Sequence, residues 1–123
     1  MNIEKYSKLA WTELNKVGLL RNYNHVSVIL RNNDVVSLGI NRRKTHPLAM
    51  KYGYRNQELH SELDALIKIP RIHRNNLVLL NFRFGTQGEL KMSRPCSLCL
   101  PWCIATFDEI YYSVPDGLVQ MVL

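Results

Sequence analysis

Residues 76–84 read NLVLLNFRF, a run of apolar and aromatic side chains nearly unbroken from Leu77 to Phe84. A strand with one face in water alternates polar and apolar residues, so a strand without that alternation needs cover on both faces. The segment therefore predicts a central strand, with more sheet beside it and helices above and below. The rest of the chain supplies both. HVSVIL (25–30) is rich in β-branched residues, RNND (31–34) offers a turn, and VVSLGI (35–40) follows, the pattern of an antiparallel hairpin. IYYSV (110–114) reads as a further strand, and after Pro115-Asp116-Gly117 the tail LVQMVL pairs back against it. That turn is too short to hold a crossover helix, so the last two strands should be antiparallel.

Helical patterns fall between these strands. Ile3, Tyr6, Leu9, Ala10, Leu14 and Val17 lie near helical spacing across residues 3–17. Within 59–69, Leu59, Leu63, Leu66 and Ile67 fall on one face, and Pro70 closes the helix. Residues 96–107 read as a second core helix. Residues 41–57 are polar and irregular, with Pro47 and Gly53 as breakers, a surface loop of the length that binding loops reach. GTQGELKMS (85–93) reads as a shorter loop. The expectation is one domain over 1–123, an α/β chain folded as a three-layer α/β/α sandwich. Its mixed five-stranded sheet ends in an antiparallel C-terminal hairpin.

Composition narrows the class. The chain is 46% hydrophobic and 21% charged, ordinary globular usage rather than a disordered or fibrous bias. No apolar run approaches the ~18–20 residues that span a bilayer, so no membrane partner is expected. The N-terminal MNIEKYSKLAWTEL mixes acids with bases and lacks the apolar core of a signal peptide. That points to an intracellular, cytoplasmic protein, where thiols stay reduced and a structural disulfide is disfavoured. Net charge is +6, and residues 41–95 carry eleven Lys and Arg against four acids. Such a surface is either simply solvated or attracts an anion, a nucleotide phosphate or a nucleic-acid backbone. Charge alone does not choose.

All three cysteines of the chain lie in RPCSLCLPWC, residues 94–103. Cys96 and Cys99 have C-x-x-C spacing, and at a helix start residues i and i+3 share a face, so both sulfurs can address one atom. A helix N-terminus also favours thiolate. A redox pair needs only this motif, but such a pair usually opens the first helix of a βαβ unit near the N-terminus. An iron–sulfur cluster wants four ligands where this run offers three. Zinc needs two further ligands, or one and an open position, drawn from His25, His46, His60 and His73. His60 fits best. It opens the helix in LHSELDALIKI, with Glu62 two residues later, and at a first turn both can project toward the same end. Two thiolates and a neutral imidazole neutralise Zn²⁺ and leave one position for water, the arrangement of a catalytic site. Cys103, a turn deeper in its helix, reads as a small buried hydrophobe. His46 and His73 read as solvated residues. Trp102, Tyr111 and Tyr112 read first as core or strand residues, with Trp102 or Tyr112 lining a ligand pocket as the lesser alternative.

His60-Ser61-Glu62 and Pro95-Cys96-Ser97-Leu98-Cys99 together form H-x-E followed by P-C-x-x-C, which resembles the signature of zinc-dependent nucleobase deaminases. The order helix, hairpin, loop, helix, strand, helix, strand also resembles the cytidine deaminase-like superfamily over nearly the whole chain. Gly39-Ile40-Asn41 is similar to that family's G-x-N at the end of the second strand. The resemblance implies a zinc-dependent hydrolase of the cytidine deaminase fold, with roles carried over residue by residue. His60, Cys96 and Cys99 would bind zinc, and Glu62 would move the proton from the activated water to the ring and the leaving ammonia. Main chain around Ser61 and from Ser93 to Pro95 would hold the base edge, and Asn41 would meet the sugar. RNQELHSE replaces the D-P-T-A-H-A-E run of tRNA adenosine deaminases, which disfavours adenosine. Classical cytidine deaminases place Cys where His60 stands. Deoxycytidylate deaminases share the His-Cys-Cys set but end in strand–helix–strand, where this tail reads as a hairpin. The expected reaction is conversion of cytosine to uracil in a free nucleoside or nucleotide. Arg42, Arg43, Lys44 and Lys51 are available to a phosphate. The alternative is cytosine in single-stranded DNA or RNA. The family likeness also implies a homo-oligomer.

Overall fold

The computed structural model describes residues 2–18, 24–55 and 57–123. The predicted central strand is at the centre of a mixed six-stranded sheet. Strand β3 (Leu77–Phe84) lies between β1 (Asn24–Arg31) and β5 (Glu109–Val114), antiparallel to the first and parallel to the second. The path runs β2-β1-β3-β5-β6, with β2 (Asp34–Ile40) and β6 (Gly117–Gln120) at its ends, and the two-residue β4 (Leu90–Lys91) pairs with β3 beyond that path. The sheet thus has one strand more than the sequence pattern predicted. β4 is too short to leave a periodic signal.

Both hairpins form as expected. Asn32 and Asn33 between β1 and β2 have φ of 53° and 67°, the two left-handed residues of a type I′ turn, whose twist matches that of the strands. β5 and β6 pair antiparallel from Val114↔Gly117 to Tyr111↔Gln120.

Alternating side chains send two apolar sets to opposite faces of the sheet. Val26, Val28, Leu30, Leu80, Phe82 and Phe84 pack with Tyr6, Ala10 and Leu14 of helix α1 (Ile3–Val17). Ile29, Leu77, Leu79 and Ile110 pack with Leu63 and Leu66 of α3 (Ser61–Ile67) and with Trp102 and Cys103 of α4 (Cys99–Thr106). Each large apolar side chain taken from water contributes ~1.5–3 kcal/mol, and both sets are almost wholly buried.

Three boundaries differ from the sequence reading. The irregular stretch 41–57 contains a short helix, α2 (Pro47–Lys51), in which Pro47 starts the helix instead of breaking it. His46 is its cap, accepting the Leu48 N–H at Nδ1 over 3.1 Å. α3 is shorter at both ends than the 59–69 pattern, with His60 as its N-cap residue. α4 begins at Cys99, not Cys96. Pro101 explains that shift: Leu100 N–H reaches Cys96 C=O at 2.8 Å, but Pro101 has no N–H to donate to Ser97. Cys96 therefore sits in the turn that leads into the helix. No helix among the described residues is long and apolar enough to cross a membrane.

Candidate metal centre and its cleft

α3 is held against β2 by close backbone contact at Gly39 and by a buried carboxylate, Asp64. Asp64 Oδ2 accepts from the Ile40 N–H at 2.9 Å, Arg42 Nε at 3.1 Å and Lys68 Nζ at 3.4 Å. The start of α3, carrying His60, Ser61 and Glu62, is thereby fixed relative to the sheet. On the far side, β4 and the segment after it bring Ser93, Arg94 and Cys96 to the same place. Ser93 is anchored through all its polar groups. Its N–H donates to Ser113 C=O at 3.0 Å and its C=O accepts from Asn81 Nδ2 at 3.3 Å. Its hydroxyl donates to Asn81 C=O at 2.8 Å and accepts from Ser113 N–H at 2.7 Å.

His60, Cys96 and Cys99 meet, with one ligand atom from each lying within 4.8 Å of the others. Nδ1 of His60 is 3.7 Å from Cys96 Sγ and 3.4 Å from Cys99 Sγ. Zn–S and Zn–N bonds of about 2.3 and 2.05 Å at a tetrahedral angle separate S and N by about 3.6 Å. The donor set and its spacing therefore fit a zinc ion. Nε2 of His60 faces Glu58 Oε1 at 3.2 Å. A proton on Nε2 donated to Glu58 leaves the Nδ1 lone pair toward the sulfurs, the usual support of a metal-binding imidazole. Cys103 is fully buried in the core and is not in this group.

Without metal, the two near thiols share a proton. Cys96 is drawn down to about 3, first by its hydrogen bond with Cys99 and then by His60, against the opposing effect of burial. Cys99 is pushed well up by that same bond, by burial and by the charge of Glu62. Their shared bond thus favours the thiolate on Cys96 and the thiol on Cys99. Burial alone would lower His60, but its bond to Cys96, the charge of Glu62 and its bond to Glu58 raise it.

Beneath the sulfurs lies Tyr54, buried to 3% exposure. Its hydroxyl is 2.7 Å from Cys99 Sγ and accepts from Trp102 Nε1 at 3.1 Å, while its ring lies 4.6 Å from the His60 ring. Burial first, and then the Cys99 contact, push its hydroxyl above the usual phenol value.

The centre opens into a cleft of about 510 Å³ lined by Asn41, His60, Ser61, Glu62, Ser93 and Cys96 of the predicted site, together with His25, Arg42, Arg43, Glu58 and Arg94. Glu62 is only 5% exposed, and one of its oxygens accepts from the Ser61 hydroxyl at 3.0 Å. Asn41 lines the wall and accepts the His25 N–H at 3.0 Å. Burial lowers His25 despite the pull of Glu62. Cys99 is fully buried behind His60 and Cys96 and does not line the cleft. Pro95 is buried and does not line the cleft, and Trp102 and Tyr112 belong to the core. Ser93 lines the cleft, but with its groups already engaged it is first an anchor.

Three contributors escaped the sequence reading. Glu58 stands two residues before His60 and could have been sought there. Arg94 stands two residues before Cys96 and could have been sought in the same way, whereas Tyr54 reaches the site only through the fold. In comparisons with known proteins, no family model and no curated sequence matches the chain. The functional reading rests on the residues themselves.

Proposed function

We propose that the chain is a zinc-dependent hydrolase that deaminates cytosine to uracil in a free nucleotide or nucleoside. The observation that carries the reading is a group of two cysteine sulfurs and an imidazole at the edge of a cleft that also holds a buried carboxylate two residues after the imidazole. Three protein ligands with a fourth position for water suit catalysis better than a closed structural site. Bound zinc would lower the pKa of that water toward neutrality and so supply a nucleophile for the carbon bearing the amine.

The chain's own residues do the rest. Glu62 would carry one water proton to the ring nitrogen and then the proton of the added hydroxyl to the departing amine as the C–N bond breaks, so that cytosine and water give uracil and ammonia. Ser61 holds one Glu62 oxygen, which keeps the carboxylate from turning away. Asn41, on the cleft wall, meets the sugar. Arg42 and Arg43 from one wall and Arg94 from the other give the mouth a positive lining suited to a phosphate, which favours a nucleotide over a nucleoside.

The direct test is Glu62→Gln. Ammonia release from deoxycytidylate should vanish while zinc content stays at the wild-type level, and surviving turnover would refute the mechanism. Cytidine and a cytosine-containing oligonucleotide, each at two salt concentrations, complete the assay. Preferred turnover of the oligonucleotide with steep salt dependence would move the substrate to single-stranded nucleic acid.

A further inference from the structure

Tyr54 is a loop residue that reaches the bottom of the metal centre. Packing accounts for its ring, which lies against His60, but a phenylalanine would pack equally well. The hydroxyl has two polar neighbours, Trp102 Nε1 at 3.1 Å and Cys99 Sγ at 2.7 Å. An indole N–H can only donate, so the Tyr54 oxygen accepts there and its own proton is left for the sulfur. A metal-bound thiolate can only accept. Chemistry at both ends thus fixes one direction, Trp102 to Tyr54 to Cys99.

The two sulfurs also differ in surroundings. Cys96 is exposed, whereas Cys99 is fully buried. A buried thiolate without a donor carries the full cost of lost hydration, and water is not available to repair it. The segment bearing Tyr54 is firmly placed for this task. Tyr54 N–H donates to Ala49 C=O at 3.1 Å, and the Tyr52 ring stacks on Trp102 with centroids 5.7 Å apart.

We propose that Tyr54 is a positioning residue of the metal centre, donating its hydroxyl proton to the Cys99 thiolate while its ring orients the imidazole of His60. It tempers the charge that Cys99 presents to the metal and prepares two of the three ligands at once. The proposal rests on the zinc reading of the site but not on deamination, so it is tested by metal binding alone.

Zinc affinity is measured by chelator competition, and the sulfur-to-metal charge-transfer band is recorded on the cobalt(II) form. Tyr54→Phe keeps the ring and removes the donor. Zinc binding should weaken about 10- to 100-fold, as for other outer partners of metal ligands. The cobalt band should move to lower energy, because a thiolate without its hydrogen bond gives up electron density more readily. Trp102→Phe, which leaves the Tyr54–Cys99 bond in place, should keep the band near its wild-type energy. A Tyr54→Phe protein with wild-type affinity and an unmoved band overturns the proposal. Should that variant not fold, the wild-type protein loaded with cadmium-113 decides. A slowly exchanging hydroxyl proton with scalar coupling to the metal is expected, and its absence overturns the proposal. Wild-type chain that takes up neither zinc nor cobalt overturns the metal reading and this proposal with it.

Discussion

Gly39 gives the sharpest test of how the fold holds the site. A glycine inside a strand ordinarily lowers stability by about 0.5–1 kcal/mol relative to alanine, so Gly39→Ala should on general grounds stabilise the protein. Its surroundings reverse the sign. A methyl group there would stand 2.8 Å from the Ala65 side chain, where ordinary contact begins near 3.4 Å. It would also press on Ser61 C=O and Ala65 N–H, backbone atoms that cannot swing aside. α3 must therefore retreat by at least about 0.6 Å, and close-packed interiors resist such shifts at ~1–3 kcal/mol. For a chain of this length about 2 kcal/mol corresponds to a fall of roughly 6–12 °C in Tm. The retreat also moves Ser61 and the neighbouring His60 and Glu62 away from Cys96, so zinc affinity should fall together with stability. Thermal unfolding and chelator competition on the same preparations measure both. A Gly39→Ala protein as stable as wild type, with zinc binding unchanged, would refute the close approach of β2 and α3.

Other perturbations test separate links. Asp64→Ala leaves the buried Ile40 N–H without its acceptor, and denaturant unfolding should show a loss of about 2–4 kcal/mol. Asp64→Asn, which still accepts, should lose clearly less. Zinc uptake should tighten as pH rises from about 5.5 to 8. The sign follows from Cys99 and His60, both raised in the metal-free protein, since their protons must leave before the metal binds. Calorimetry in buffers of different ionisation enthalpy should count the released protons, and pH-independent binding would contradict the shared-proton description. Arg94→Ala should raise KM for deoxycytidylate tenfold or more and leave KM for cytidine nearly unchanged. Equal effects on both substrates would remove the phosphate from the proposed role of Arg94.

How much of this was legible in the sequence depended on range. The central strand follows from a nearly unbroken apolar run, the two hairpins from β-branched runs around short turns and α1 from helical spacing, all within a few residues, and each stands where the pattern put it. The meeting of His60, Cys96 and Cys99 was legible because two short motifs each carry their own spacing. The start of α4 was misread for a local reason that the sequence does contain, the missing N–H of Pro101. α2 was likewise announced by His46-Pro47, a cap followed by proline at the first helical position. Arg94 lay inside the Ser93–Pro95 segment already expected at the site, though its side chain was given no role, whereas Tyr54 was not legible at all. Nothing near Tyr54 in the chain indicates that it will meet a sulfur 45 residues away. Such contacts depend on tertiary packing and leave no periodic trace.

The polar interruptions in the strands carry information of a different kind. Ser27 breaks HVSVIL and Asn81 breaks NLVLLNFRF, and both are essentially sealed from solvent. Ser61 divides its one hydroxyl proton between Glu62 and Ser27 Oγ, the latter 2.8 Å away, Ser27 donates to Asn81 Oδ1 at 2.5 Å, and Asn81 donates to Ser93 C=O. The seam begins beside Glu62 and ends three residues before Cys96, so it crosses the sheet from one half of the metal motif to the other. Hydrophobic contacts are tolerant of small slides, whereas buried hydrogen bonds lose their worth within a fraction of an ångström and leave unpaired groups behind. A seam of this kind sets the distance between two motifs that are far apart in the chain, and an apolar seam of equal volume would not. Polar residues at the centre of apolar strands thus help fix the separation on which a metal ion held by both motifs would depend.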